Sequence, residues 1–135
     1  GFVPVVSDDV IRAAVEAYAA APSPLSSILF FPIHGVASRV PPDATAYPHR
    51  TGVHVGVYAL WRDAAESAAN IAWARSAWAA IEPFVPAGVY VNELGEDEDH
   101  RVQLAYGSNY PRLARVKRMY EPDNVFRLNS NILPA

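Results

Sequence analysis

Apolar and polar positions along the chain alternate between two periods, and the change from one to the other marks the elements. After Ser7, whose hydroxyl can accept from a first-turn N–H, Val10, Ile11, Ala14, Val15 and Tyr18 recur at helical spacing. Asp8 and Asp9 suit the positive end of that helix, and Pro22 and Pro24 close it. Ile28 to His34 is a short β-branched and aromatic run and reads as a strand; Pro32, lacking an N–H, places it at an edge or a bulge. Val53 to Trp61 alternates, with Val53, Val55, Val57, Ala59 and Trp61 on one face and His54, Gly56, Tyr58 and Leu60 on the other. Asp63 and Glu66 form a capping-box pattern opening an alanine-rich helix whose expected buried stripe is Ala64, Ala68, Ile71, Ala74, Trp78 and Ile81. Pro83 and Pro86 end it, and Val89 to Asn92 reads as a third strand. An acidic turn, Glu96 to Asp99, leads to a last helix capped by Ser108 or Asn109, with Pro111 in its first turn and Leu113, Val116 and Tyr120 as its apolar stripe. A short strand within residues 2–6 is compatible with the pattern but not required by it.

The expected fold class is therefore α+β, an antiparallel sheet with helices packed on one face. Residues 35 to 52 interrupt this order with a proline- and glycine-rich loop carrying Asp43, Thr45, His49 and Arg50, and long ordered loops of this kind are often functional. With helices on one face, Tyr90, Asn92, His54 and Tyr58 would share the other. Periodicity alone leaves that face open to solvent, to a ligand or to another domain.

The chain has 135 residues, 51% of them hydrophobic and 19% charged, which suits one globular domain and excludes an intrinsically disordered chain. A net charge of −3 argues against a general nucleic-acid binder, which needs a basic surface. The longest apolar runs are too short to span a bilayer, so a soluble protein with no membrane partner is expected, cytoplasmic or secreted. With no cysteine, the chain has no disulfide, no thiolate metal site and no cysteinyl cofactor link. Its four histidines, His34, His49, His54 and His100, show no metal-ligand spacing. Nucleophile-elbow and glycine-rich phosphate-binding motifs are both missing from the sequence. Arg112, Arg115, Lys117 and Arg118 spread around the polar face of the last helix, the pattern of a solvated face.

The tail carries more specific information. Residues 106–132, YGSNYPRLARVKRMYEPDNVFRLNSNI, resemble the carboxy-terminal signature of the berberine bridge enzyme-like family of FAD-linked oxidases. The matching positions are Tyr106, Gly107, Asn109, Tyr110, Leu113, Lys117, Tyr120, Pro122, Asn124, Phe126, Asn129 and Ile132. Upstream, ATAYPHR (Ala44 to Arg50) is similar to the family's Ala–Thr–Ala–Phe–x–His–Arg loop, and Tyr90-Val91-Asn92 to its Tyr–x–Asn strand.

The resemblance implies part of the substrate domain of a vanillyl-alcohol-oxidase-like flavoprotein, with residues 1–95 belonging to the α+β substrate domain and 96–135 to a berberine-like helix and tail. It further implies FAD as cofactor, held mainly by a separate FAD-binding domain or subunit, and oxidation of a small-molecule substrate with hydride passing to the flavin. Tyr90 and Glu93 would be catalytic, Asn92 and Asn129 cofactor-binding, and His54 and Tyr58 substrate-pocket residues. Two positions depart from the family pattern. Glu93 stands where many members have tyrosine or phenylalanine, and a desolvated carboxylate can act as a base, although strand alternation would point it away from Asn92. Ser130 replaces a glutamine after Asn129. A stand-alone α+β ligand-binding module, or one that pairs with a second copy through its exposed sheet face, is the competing expectation.

Overall fold

A computed structural model describes residues 1–86, 88–95, 100–128 and 130–135. The expected acidic turn at Glu96–Asp99 lies outside the described residues. The described chain divides into two compact units, 1–33 with 52–86, and 34–51 with 87–135.

The first unit is built on a three-stranded antiparallel sheet in the order β1-β3-β2, comprising β1 (Phe2–Val3), β2 (Ser27–Pro32) and β3 (Val53–Tyr58). β2 is an edge strand, and Pro32 is its last residue, where a missing N–H costs no ladder bond. The two long strands pair with Phe30 opposite Val55 and Phe31 opposite His54. β3 stops at Tyr58, short of the expected Trp61, because its partner begins at Ser27. Beyond that pair, the Ser26 hydroxyl takes over: it accepts from the Leu60 N–H at 3.2 Å and donates to the Leu60 carbonyl at 3.4 Å.

Helix α1 (Asp8–Ala19) starts where expected, the Ser7 hydroxyl accepting from Val10 N–H at 3.4 Å. Helix α3 (Ser67–Ile81) follows a 3-10 turn over Ala64–Glu66, whose first N–H groups are served by the Asp63 carboxylate at Ala65 N, 2.9 Å away. The core joins Val3, Ala14, Val55 and Ile81, with Ile28, Phe30, Val53, Val57, Trp78 and Phe84 packed against it. Each large apolar side chain sealed there contributes about 1.5–3 kcal/mol.

The buried residues of α3 are Asn70, Trp73, Ala77 and Ile81. Of the expected stripe, Ile81 is buried and Trp78 packs against the core, whereas Ala64, Ala68 and Ile71 are exposed. An alanine-rich helix carries little amphipathic signal, so its orientation is set by its few large side chains, Trp73 among them. Trp73 is buried, and its indole N–H donates to the Ala17 carbonyl at the end of α1, 2.8 Å away. On α1 the buried residues are Val10 and Ala14, while Ile11, Val15 and Tyr18 remain exposed.

The second unit contains the short helix α2 (Val36–Arg39), helix α4 (Val102–Tyr106) and helix α5 (Tyr110–Tyr120), joined to irregular segments. Residues 89–92 are not the expected strand. Val89 and Tyr90 lead into a 3-10 turn over Val91–Glu93, closed by Glu93 N–H to Tyr90 carbonyl at 2.9 Å. The position beside β3 that this segment would have filled belongs to Phe2–Val3. Tyr90 and Asn92 therefore do not lie on a sheet face.

Candidate functional site

The loop of residues 34–51 is held from α4 and α5 by hydrogen bonds its sequence does not announce. Asn109, expected as a helix cap, makes no side-chain capping bond. Its amide instead donates to the carbonyls of Pro42 at 2.7 Å, Thr45 at 3.0 Å and Ala46 at 3.5 Å. Arg112 donates to the Asp43 carbonyl at 2.8 Å. His49 Nε2 lies 3.0 Å from the Ala105 carbonyl, and because a carbonyl can only accept, this contact assigns the ring proton to Nε2. Burial pulls the His49 pKa down and the backbone contacts at Ala105 and Leu104 partly oppose it, so the imidazole is neutral at pH 7. Gly88, at φ +86°, is required here, since a Cβ would sit 2.4 Å from the His49 ring.

This anchoring presents Thr45, Tyr47 and Arg50 to the 90–93 turn. The Tyr47 and Tyr90 rings meet edge-on, with centroids 5.9 Å apart and planes at 80°. His49 makes a similar contact on Tyr47 at 5.6 Å and 76°. The Arg50 guanidinium lies over the Tyr47 ring, 5.2 Å from its centroid, and is tied to the Thr45 hydroxyl. Asn92 donates its amide N–H to the Tyr90 hydroxyl at 2.9 Å.

The turn also changes the setting of Glu93, which is the last residue of a 3-10 turn and not an alternating strand position. Its charge reaches Tyr47, whose phenol is raised above its ordinary value first by burial, then by Tyr90 and Glu93, with Arg50 opposing. The group thus combines a phenol kept protonated through neutral pH, a second phenol bonded to an amide, a carboxylate and a guanidinium. Asn92 and Glu93 form its exposed rim. Such a set can donate to and accept from the oxygens and nitrogens of a polar ligand.

The other expected site residues are placed as follows. His54 belongs to the first unit, where it is buried between the rings of Phe2 and Phe31, at centroid distances of 5.1 and 5.8 Å. Tyr58 is in the same strand, its ring folded back over Gly56, where a Cβ would come within 2.5 Å. Asn129 lies outside the described residues. Its neighbour Ser130 donates to the Val91 carbonyl at 3.4 Å, which brings the tail to the 91–93 turn.

The tail is fastened along α5 by Lys117, whose ammonium donates to the Phe126 carbonyl at 2.8 Å and Asn131 Oδ1 at 2.7 Å and pairs with Glu121 at 3.1 Å. Burial would raise the Glu121 pKa, but bonds from Lys117, Val125 N–H and Phe126 N–H outweigh it and hold the carboxyl below its ordinary value. Lys117 is therefore a structural tie and not part of a purely solvated basic face.

Tyr47 was absent from the residues singled out in the sequence. Its signal was its place in the ATAYPHR loop. Among the described residues no three His, Cys, Asp or Glu side chains group to hold a metal ion, and no helix is long and apolar enough to cross a membrane.

Residues 89–133 match the family model described as berberine and berberine like. Over most of its length the chain is similar to berberine bridge enzyme-like proteins. It is 35% identical over 122 residues to berberine bridge enzyme-like 17 of Arabidopsis thaliana, covering 77% of this chain and 23% of that one. It is 33% identical over 102 residues to an FAD-linked oxidoreductase, YvdP, of Bacillus subtilis, covering 75% and 23% respectively. Among solved structures, a glycopeptide hexose oxidase complexed with teicoplanin superposes with a TM-score of 0.85 at 25% identity, over 99% of this chain and 31% of that one. Berberine bridge enzyme-like 28 of Arabidopsis thaliana superposes with a TM-score of 0.81 at 24% identity, over 99% and 32%. The architecture is that of part of a vanillyl-alcohol-oxidase-like flavoprotein, and the chain spans about a quarter of the length of the curated relatives it matches.

Proposed function

We propose that this chain is the carboxy-terminal, substrate-domain portion of an FAD-dependent oxidoreductase. On this reading it covers the flavin and shapes the substrate pocket, while the remainder of the protein binds FAD. Residues 1–95 are then part of the substrate domain and 96–135 the berberine-like helix and tail. The observation that carries the reading is the berberine-like match over residues 89–133, which contains the Tyr90–Asn92–Glu93 turn and the tail returning to it through Ser130.

The residues present fit one end of FAD and not the other. Phenols and an amide at the rim of an aromatic cluster suit the polar edge of a flat heteroaromatic ring. The pyrophosphate has no counterpart among these residues, because the sequence has no glycine-rich phosphate-binding motif. When bound, the flavin supplies the two-electron acceptor.

In this assignment Tyr90 and Glu93 handle the substrate proton. Asn92, by donating to Tyr90, polarises that phenol and orients it, and the hydroxyl is made a stronger donor by accepting a bond. Asn92 and Asn129 contact the flavin, and His54 and Tyr58 line the substrate pocket.

Two experiments test the reading. The chain alone, titrated with FAD, is expected to show no tight uptake by visible absorption; tight binding would contradict the division of labour. In the assembled oxidoreductase, Tyr90→Phe is expected to lower turnover by roughly 100-fold, the usual scale for losing a positioned acid or base. Unchanged turnover would remove Tyr90 from the chemistry.

A further inference from the structure

We propose that Tyr47 is a positioning residue for Tyr90, a second phenol clamped from its own loop that fixes the pose of the first. Its role in turnover rests on the flavoenzyme reading above; the coupling itself does not.

Tyr90 needs such a support. It precedes a single 3-10 turn and belongs to no strand or helix, so no regular backbone element holds its ring. Tyr47, in contrast, is held from two directions. Arg50 lies over its face and is itself tied to Thr45 within the same loop. His49 meets it edge-on and is fixed in turn by the Ala105 carbonyl and by the close approach at Gly88. The ring so held meets Tyr90 at 80° and 5.9 Å, the edge-to-face arrangement in which the positive rim of one ring faces the negative face of the other. Asn92 then fixes the Tyr90 hydroxyl. Ring and hydroxyl are therefore constrained by two different residues, Tyr47 acting on the ring and Asn92 on the hydroxyl.

The charged and titratable groups acting on Tyr47 are Tyr90 and Glu93, which disfavour its phenolate, and Arg50, which favours it. With burial added, the Tyr47 phenol stays protonated through neutral pH.

The test uses this chain with its tyrosines labelled at Cζ and followed by NMR, with no flavin added. Tyr47→Leu is expected to shift the Tyr90 resonance, and Tyr47→Phe, which keeps the ring, to leave it in place. Tyr90→Phe and Glu93→Gln should each lower the midpoint of the Tyr47 titration, and Arg50→Gln should raise it. If Tyr47→Leu loses the fold, these three titrations carry the test.

An unmoved Tyr90 resonance in folded Tyr47→Leu, or a Tyr47 midpoint indifferent to Tyr90→Phe, would overturn the proposal. In the assembled oxidoreductase, Tyr47→Leu should lower kcat by roughly tenfold or more with little change in KM, and Tyr47→Phe should restore most of the loss. Because the resonance and titrations need no cofactor, a failure of the flavin reading would leave them standing, and a failure of the clamp would show in them alone.

Discussion

Asn109 illustrates how much one side chain can determine here. Buried at 5% exposure, its amide serves carbonyls at Pro42, Thr45 and Ala46, none of which is part of a regular ladder. Asn109→Ala removes the donor shared by those three carbonyls, so the expected loss is about 2 kcal/mol by urea unfolding, with faster amide exchange across residues 42–50. His49 adds a pH dependence. Its ring binds a proton less readily folded than unfolded, so its contribution to stability is complete above about pH 6.5 and is lost as the pH falls through the lower folded value. Compared with His49→Gln, the wild-type chain should therefore lose more stability between about pH 7.5 and pH 5. The role of Asn109 was not legible in the sequence, where an asparagine before Tyr-Pro reads as a cap; for His49 the loop motif suits a structural role, but its partner on α4 is set only by the fold.

At the scale of elements, legibility followed side-chain contrast. The cap of α1, the edge position of Pro32 and the inward face of β3 all came from local chemistry and hold in the fold, while Asp63 serves the 3-10 turn ahead of α3 and not α3 itself. The phase of α3 did not, because alanines weigh too little to point a helix and the Trp73 bond to Ala17 decides it. This gives a paired prediction. Ile71→Ala, at an exposed site the sequence marks as core, should change stability by less than about 0.5 kcal/mol. Ala77→Leu, at a buried site, should cost about 1–3 kcal/mol by overpacking. Equal effects would put the stripe back where periodicity placed it. Residues 89–92 failed as a strand for a different reason: two valines around a tyrosine have the composition of a strand, but pairing needs a partner, and the partner of β3 comes from Phe2–Val3.

For the whole molecule, exposed apolar side chains are concentrated in the last helix and tail: Met119, Tyr120, Val125, Phe126 and Leu128 are each at least two-thirds exposed. Apolar surface of this kind is normally covered by a partner or another domain. The isolated chain should therefore associate at high concentration, and light scattering showing a strict monomer would count against a covered role for the tail. The family was legible from the tail motifs, and the position of the turn under Ser130 was not, since tail and turn meet only in three dimensions.

On the proposed function, these residues complete a flavin site whose FAD-binding part lies elsewhere in the protein. The most direct test of this is the visible absorption spectrum of this chain joined to an FAD-binding portion of the berberine bridge enzyme-like type. The account predicts a flavin spectrum that bleaches on adding an oxidisable substrate and bleaches far more slowly in Tyr90→Phe and Asn92→Ala. A bound flavin whose reduction is indifferent to both substitutions would contradict it.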